Sequence, residues 1–203
     1  MSTYPQADLL LSAAHARHFP PDQGAEVAIA GRSNAGKSSA INALTGRRAL
    51  ARISKTPGRT RLLNFFELTP GCRIVDLPGF GYAAASAEER ASWESMTTAL
   101  SQRGALRGLF LVIDSRRGVL ARDEELIAWA AAAHCPVHVL LSKSDKLKRA
   151  ELARTLAAAQ QGLAGRATVQ AFSAVDGTGL EAARGQLNQW LKKNSPGGRT
   201  WGE

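Results

Sequence analysis

The segment 26–39, which reads EVAIAGRSNAGKSS, constrains this chain more than any other stretch. A short apolar run leads to Gly31, and four residues later Gly36, Lys37 and Ser38 complete a G-x-x-x-x-G-K-[ST] pattern. Such a loop, between a strand and a helix, turns backbone N–H groups and the positive end of the helix dipole towards a phosphate. The pattern therefore predicts a nucleoside triphosphate site. The alternative is an ordinary glycine-rich turn.

Each residue type in this loop suits part of a triphosphate. Gly31 and Gly36 are expected to adopt backbone conformations that a side chain would resist. Lys37 offers a movable charge to the β- and γ-phosphates, and Ser38 offers a hydroxyl to Mg²⁺. The predicted phosphate-loop residues are Gly31, Arg32, Ser33, Asn34, Ala35, Gly36, Lys37, Ser38 and Ser39.

Length and composition indicate one basic α/β domain. The chain has 203 residues, a hydrophobic content of 44%, a net charge of +9 and a pI of about 10.3. Such a charge favours an anionic partner, either nucleic acid or an acidic membrane surface, although a solvated basic surface is the alternative. The two cysteines, Cys72 and Cys135, lack metal-ligand spacing. With no signal peptide and no apolar run that could span a bilayer, we expect a cytoplasmic protein.

Apolar runs and turn signals predict strands that alternate with helices. The predicted strands are 7–14, 27–30, 62–68, 72–75, 109–114, 136–141 and 169–172, and the predicted helices are 38–44, 86–103, 122–133, 147–162 and 178–193. This order predicts a mostly parallel sheet of six or slightly more strands with helices on both faces. The turn at Pro70-Gly71 predicts one antiparallel strand. We divide the chain into a lead-in packed on the domain (1–25), a nucleotide-binding domain (26–193) and a flexible basic tail (194–203).

Two further motifs follow predicted strands, so they are expected at the same sheet edge as the phosphate loop. Asp76, Leu77, Pro78 and Gly79 form a D-x-x-G pattern, which is weak alone and strong after a phosphate loop. The carboxylate suits a Mg²⁺-bound water, and the backbone N–H of Gly79 suits the γ-phosphate.

The segment Ser142, Lys143, Ser144 and Asp145 predicts guanine recognition. A carboxylate accepts two N–H bonds from guanine, whereas adenine does not offer that pair, so Asp145 would select GTP over ATP. The stem of Lys143 would cover the ring, and a backbone N–H from Ser173 or Ala174 would meet the guanine O6. The alternative is a solvated polar loop.

Together, GRSNAGKS, TPGRT, DLPGFGY, SKSD and the following Ser-Ala pair resemble the EngB (YihA/YsxC) family of bacterial ribosome-assembly GTPases. These belong to the TrmE-Era-EngA-like, translation-factor-related GTPases. The likeness covers about residues 26–193, and the combination of TPGRT with DLPGFGY is specific. The resemblance implies a Ras-like P-loop fold, Mg²⁺-dependent GTP binding, slow GTP hydrolysis and a role in maturing the large ribosomal subunit. Family members are also associated with normal cell division and septation.

The resemblance also implies residue roles. Gly58, Arg59 and Thr60 look like the first switch, with Thr60 completing a metal shell that starts at Ser38; Thr56 competes for that role. One position departs from the family pattern, because Ser142 stands where Asn is usual in the base motif and Thr is usual in this family. Its hydroxyl is expected to bond back to the phosphate loop with a shorter reach.

No catalytic residue is assigned, and Asn34 and Lys37 are the candidates. Phe80 occupies the position where many small GTPases place a water-orienting Gln, so intrinsic hydrolysis should be slow. In some related GTPases an Asn at the place of Asn34 helps to hold K⁺. The alternative is that Asn34 only caps its own loop.

The segment 47–61, RRALARISKTPGRTR, contains six cations and no acid, and it overlaps the first switch. We expect nucleotide state to control its contact with ribosomal RNA and the large ribosomal subunit. The main rival function is an ATP-dependent small-molecule kinase of the P-loop type. A lipid-bound GTPase is a third possibility that no lipidation signal supports. We expect a monomer with no stable membrane association.

Overall fold

The computed structural model describes residues 3–51, 62–79 and 87–192. Within these ranges seven strands form one sheet: β1 (Asp8–Ala13), β2 (Ala25–Gly31), β3 (Leu63–Thr69), β4 (Cys72–Asp76), β5 (Leu106–Asp114), β6 (Val137–Ser142) and β7 (Thr168–Ala171). The α-helices of these ranges are α1 (Lys37–Thr45), α2 (Ala87–Ser101), α3 (Ala121–Ala132), α4 (Arg149–Gly162) and α5 (Leu180–Lys192). The predicted α/β fold is confirmed.

The strand order is β1-β3-β4-β2-β5-β6-β7. Strand β3 pairs antiparallel with both β1 and β4, whereas every other neighbouring pair is parallel. A single strand therefore runs against the other six, as the turn at Pro70-Gly71 predicted. Because parallel neighbours end on the same side, the carboxyl ends of β4, β2, β5 and β6 form one edge.

Helices cover both faces of the sheet because β2 is apolar on both sides. Val27 and Ile29 belong to a cluster that includes buried side chains of α1 and α5. Ala28 and Ala30 point to the opposite face and belong to a second cluster with buried side chains of α2, α3 and α4. All seven residues of β2 are buried, so this strand forms the centre of the core. Among the described helices, none is long and apolar enough to cross a bilayer.

A buried ionic cluster joins the lead-in to the amino-terminal end of the sheet. The carboxylate of Glu26 is fully buried and accepts bonds from Arg73 Nε at 2.9 Å and from Arg103 Nε at 2.6 Å. Both guanidinium groups also donate to the backbone carbonyl of Pro21, at 3.2 and 3.1 Å. The charged groups are thus paired where they are removed from water, and the lead-in is attached to the domain. The division of the chain at residue 25 stays a prediction.

Candidate nucleotide-binding site

The sheet register places four loops side by side. Ile29 is opposite Asp76, Gly31 is opposite Val112, and Asp114 is opposite Ser142. The strands β2, β4, β5 and β6 therefore stop at nearly the same level. The loops that follow them, which carry the phosphate-loop, D-x-x-G and base motifs, are neighbours although they are distant in sequence.

The phosphate loop needs its two glycines for different reasons. Gly36 has φ 99°, a left-handed conformation that L side chains rarely adopt, and it precedes α1. Gly31 does not have a positive φ, so the expectation of an unusual backbone conformation is wrong there. A Cβ at Gly31 would lie 2.7 Å from the carbonyl oxygen of Val112, so close packing of β2 on β5 requires glycine. Asn34 also has a left-handed backbone, with φ 62°, which Asn tolerates better than most residues.

An ion pair connects the phosphate loop to the D-x-x-G motif. The ammonium of Lys37, at the start of α1, contacts the carboxylate of Asp76 at the end of β4, and both side chains are largely buried. The N–H of Leu77 donates to the carbonyl of Ile29 at 3.0 Å. A Cβ on Gly79 would lie 3.6 Å from the backbone N of Ser33, so the motif lies against the phosphate loop.

The base motif is attached to the same loop. Ser142, at the end of β6, donates its hydroxyl to the carbonyl of Ala35, as its sequence position suggested, and Ile113 O lies 3.1 Å from the same oxygen. Lys143 has φ 57°, and its ammonium lies 2.6 Å from the carbonyl oxygen of Asn34. Two consecutive residues of the motif therefore grip the phosphate loop.

The two predicted base-reading loops meet at Asp145. Ser173 Oγ donates to Asp145 Oδ1 at 2.7 Å, and Lys146 Nζ lies 3.0 Å from Oδ2. The hydrogen bond from Ser173, followed by that from Lys146, lowers the pKa of the Asp145 carboxyl. Ser173 is fully buried, whereas Ala174 is exposed. The result is a fixed, ionised acceptor beside an accessible backbone segment.

Comparison with known proteins identifies the family to which this site belongs. The family model described as "50S ribosome-binding GTPase" matches residues 26–143. A probable GTP-binding protein EngB from Coxiella burnetii is 46% identical over 193 residues, which cover 93% of this chain and 94% of the relative. The EngB protein of Thiobacillus denitrificans is 49% identical over 189 residues, covering 92% and 91%. This chain belongs to the EngB family of GTP-binding proteins.

Solved structures agree with this assignment. The crystal structure of a probable GTP-binding protein EngB matches with a TM-score of 0.63 at 25% identity, covering 82% of this chain and 98% of that one. A variant of Era from Aquifex aeolicus matches with a TM-score of 0.66 at 23% identity, covering 85% and 58%, which supports the P-loop fold alone. The family is a GTPase family, so it favours GTP binding and hydrolysis over the rival kinase function.

The described part of the EngB chain fits a hard metal ion only in part. Ser38 and Asp76 carry oxygen donors of the kind that Mg²⁺ prefers, and the Lys37–Asp76 contact brings their two elements together. Within the described ranges, no group of three or more His, Cys, Asp or Glu residues could hold a metal. The predicted switch residues Gly58, Arg59 and Thr60, together with Thr56 and Phe80, lie outside the described residues.

Sequence reasoning assigned no role in the nucleotide site to Asp114, Arg116 or Asp123. Asp114 ends β5 as Asp76 ends β4, so a strand-ending carboxylate was an available signal. Its oxygens accept bonds from Arg116 Nε at 2.9 Å and from Lys143 Nζ at 3.0 Å. The hydrogen bond from Arg116 is the main reason that the pKa of Asp114 lies far below its ordinary value. No sequence pattern indicated the side-chain contact between residues 114 and 143.

Asp123, in the first turn of α3, lines a cleft with Arg32 and Asp114 beside the phosphate loop. One carboxylate oxygen accepts the N–H of Leu120 at 2.9 Å, while the other is buried and has no hydrogen-bond partner among the described residues. Burial raises the pKa of this carboxyl, and the hydrogen bond from Leu120 and then the nearby charge of Arg32 oppose the rise.

The substitution Asp123→Asn should change how stability depends on pH. In the wild type, the folded carboxyl titrates above the unfolded value of about 3.9, so its contribution to stability declines as pH rises from that value through the folded pKa. Asn stays neutral and can keep the bond to Leu120. The free energy of unfolding in urea, measured from pH 4 to 7, should therefore shift in favour of the variant as pH rises. Glu125→Gln, a change at an exposed carboxylate two residues along the same helix, is the control. If the free energy of unfolding depends on pH in the same way in the wild type and in Asp123→Asn, this account is contradicted.

Proposed function

We propose that this EngB protein is a Mg²⁺-dependent, slowly hydrolysing GTP switch in the assembly of the large ribosomal subunit. The observation that carries the proposal is the placement of Lys37, Asp76 and Asp145 on three loops at one sheet edge, with direct contacts between the first two. The family model that matches residues 26–143 is that of a ribosome-binding GTPase, which supports the cellular role. By family resemblance, normal cell division and septation depend on the same cytoplasmic protein.

The phosphates bind at the amino-terminal end of α1 in this proposal. Backbone N–H groups of residues 31–38 surround the β-phosphate, and the helix dipole stabilises its charge. The ammonium of Lys37 leaves Asp76 and moves to the β- and γ-phosphate oxygens. Asp76 would then be available to hold a metal-bound water, and Ser38 and Thr60 would hold Mg²⁺ directly. Mg²⁺, when bound, would supply positive charge to the triphosphate.

The guanine base binds between the base motif and the loop after β7. Asp145 accepts bonds from the N1–H and the 2-amino group, while Ser173 holds the carboxylate in position. The stem of Lys143 covers one face of the ring, and the backbone N–H of Ala174 meets the O6 atom. Since adenine offers no matching pair of donors, ATP would leave Asp145 unpaired.

Hydrolysis is slow in this proposal because Phe80 can neither orient nor activate a water. Asn34 is exposed at the tip of the phosphate loop, and its backbone conformation is left-handed. Its side-chain amide oxygen would help to hold K⁺, which supplies positive charge near the transferring phosphoryl group. The left-handed conformation equally suits the alternative, in which the Asn34 side chain only caps its own loop.

The contact with ribosomal RNA is electrostatic in origin. The chain carries a net charge of +9, and the basic segment 47–61 overlaps the first switch. Exposed cations beside the base motif, among them Lys146 and Lys148, would extend the contact. GTP and GDP would present the basic segment differently, so nucleotide state would control affinity. We propose that the protein acts as a monomer.

The substitution Asp145→Asn should change the preferred base from guanine to xanthine. The amide keeps one acceptor but places a donor against a donor of guanine, so affinity for GDP should fall on the order of 100-fold. Xanthosine diphosphate has an acceptor at C2 and should bind the variant better than GDP. Titration with fluorescent nucleotides measures both affinities, and Asp176→Asn, in the neighbouring exposed loop, should retain GDP binding. Unchanged GDP affinity in Asp145→Asn would contradict the base pocket.

GTP turnover by the wild type should be faster in K⁺ than in Na⁺, by about tenfold, which corresponds to about 1.4 kcal/mol of barrier. Asn34→Gly keeps the left-handed backbone accessible and removes the amide oxygen. This variant should therefore bind GDP normally and lose the difference between the two ions. Phosphate release assays in matched KCl and NaCl measure the rates, and equal rates for the wild type would remove the K⁺ role.

Co-sedimentation with large ribosomal subunits should be stronger with a non-hydrolysable GTP analogue than with GDP. Binding should weaken steeply between 50 and 200 mM salt, because contacts with RNA phosphates release counterions. In the Asp145→Asn variant, subunit binding should depend on xanthosine nucleotides instead of guanosine nucleotides. This result would show that subunit binding is controlled from the nucleotide site. If co-sedimentation depends neither on the bound nucleotide nor on the salt concentration, the proposed nucleotide-controlled switch is contradicted.

A further inference from the structure

The ammonium of Lys143 is held at two points. It donates to the carbonyl oxygen of Asn34 at 2.6 Å and to Asp114 Oδ2 at 3.0 Å. The first contact is with the phosphate loop, and the second is with the end of β5. Because both contacts are made by the head group, the methylene stem of Lys143 has little freedom to move away from the position where the base would stack.

Asp114 is itself fixed by Arg116. The guanidinium binds both carboxylate oxygens, with Nε at 2.9 Å from Oδ1 and an Nη atom at 2.6 Å from Oδ2, and the backbone N–H of Arg116 donates to Oδ1 at 3.1 Å. Bidentate contacts between Arg and a carboxylate are strong and define an orientation. Asp114 is 6% exposed, so this charge acts in a poorly solvated place. The result is a rigid anionic anchor for Lys143.

Ser142 explains why such an anchor matters in this chain. A serine hydroxyl has one proton, so it can donate either to Ala35 O or to Ile113 O at a given moment. Asn, one of the two residues usual at this position, has two N–H donors, whereas Thr, the other, has one hydroxyl proton as Ser does. The connection from the base motif to the phosphate loop is therefore weaker at Ser142 than at an Asn, and the bond from Lys143 to Asn34 supplies a second connection.

We propose that Asp114 and Arg116 are positioning residues that hold Lys143 against the guanine nucleotide and set how long the nucleotide stays bound. This inference rests on the proposed function of the same site and adds a specific determinant of affinity. Asp114 contacts neither phosphate nor base in this account. It acts through Lys143, and Arg116 acts through Asp114.

The test measures dissociation of fluorescent GDP from the full-length chain. Asp114→Asn keeps the shape but removes the charge, and should release GDP about tenfold faster because charge-assisted bonds to Lys143 and Arg116 are lost. Arg116→Gln leaves Asp114 paired with Lys143 and should accelerate release about threefold. Arg117→Gln, which alters the next residue of the same loop, is the matched control and should release GDP at the wild-type rate.

A rescue experiment separates positioning from a general structural effect. Ser142→Asn adds a second donor towards the phosphate loop, so in the Asp114→Asn background it should slow GDP release back towards the wild-type rate. A purely structural defect at Asp114 would not be corrected by a change at residue 142. Thermal unfolding without nucleotide, measured on each variant, reports structural damage separately. If Asp114→Asn does not fold, the half-exposed Arg116 still decides the question through Arg116→Gln.

The outcomes distinguish this inference from the function on which it rests. If the wild type fails to prefer GDP over ADP, the proposed function is wrong. If the wild type retains GDP but Asp114→Asn and Arg116→Gln release it at the wild-type rate, only the positioning role is overturned. Faster release in both variants without rescue by Ser142→Asn would also overturn it.

Discussion

The parallel hydrogen-bonded ladder that places β2 between β4 and β5 is the constraint on which the rest of this structure depends. It aligns the carboxyl ends of the strands, so that four loops distant in sequence emerge at one edge. Close packing at Gly31 keeps β2 and β5 together where the phosphate loop begins. Without that alignment, Lys37 could not reach Asp76, and Lys143 could not reach Asn34. The geometry of the site therefore depends on strand register more than on any single side chain.

Buried charges at both ends of the sheet are paired, and the pairs have different consequences. At the amino-terminal end, Glu26 binds two arginines and joins the lead-in to the domain, which is a structural role. At the carboxyl end, the proposed function requires the Lys37–Asp76 pair to open, so that Lys37 can bind the phosphates and Asp76 a metal-bound water. The two ends thus use the same chemistry, since a charge removed from water needs a partner, but an exchange of partners is proposed only for the Lys37–Asp76 pair. Asp123 differs from both, because one of its oxygens is buried without a partner in the described part of the chain.

Most of the fold was predictable because the local signals agree with the tertiary structure. Each predicted strand and helix has a counterpart, and the main errors are at boundaries. Strand β5 begins at Leu106, three residues earlier than predicted, and it includes Gly108. In the structure that glycine makes room for Trp190, since a Cβ there would lie 2.4 Å from the indole ring. Helix α4 begins at Arg149 instead of residue 147, because residues 144–146 form a short 3₁₀ turn. The need for glycine at residue 108 is not visible without its packing partner, Trp190.

The sequence by itself determined the chemistry proposed for this protein: the phosphate loop, the strand-ending Asp76, the Asp145 predicted to bind guanine and the EngB resemblance are all local patterns of residue type and spacing. Only the tertiary structure decided which residues support that chemistry. Three of these features depend on segments that are far apart along the chain. They are the bond between Asp114 and Lys143, the burial of Asp123 and the close packing of Gly31 on Val112. A sequence motif indicates what each loop can bind. Contacts across strands decide how firmly the loops are held, because they depend on register and close approach, which spacing along the chain does not encode.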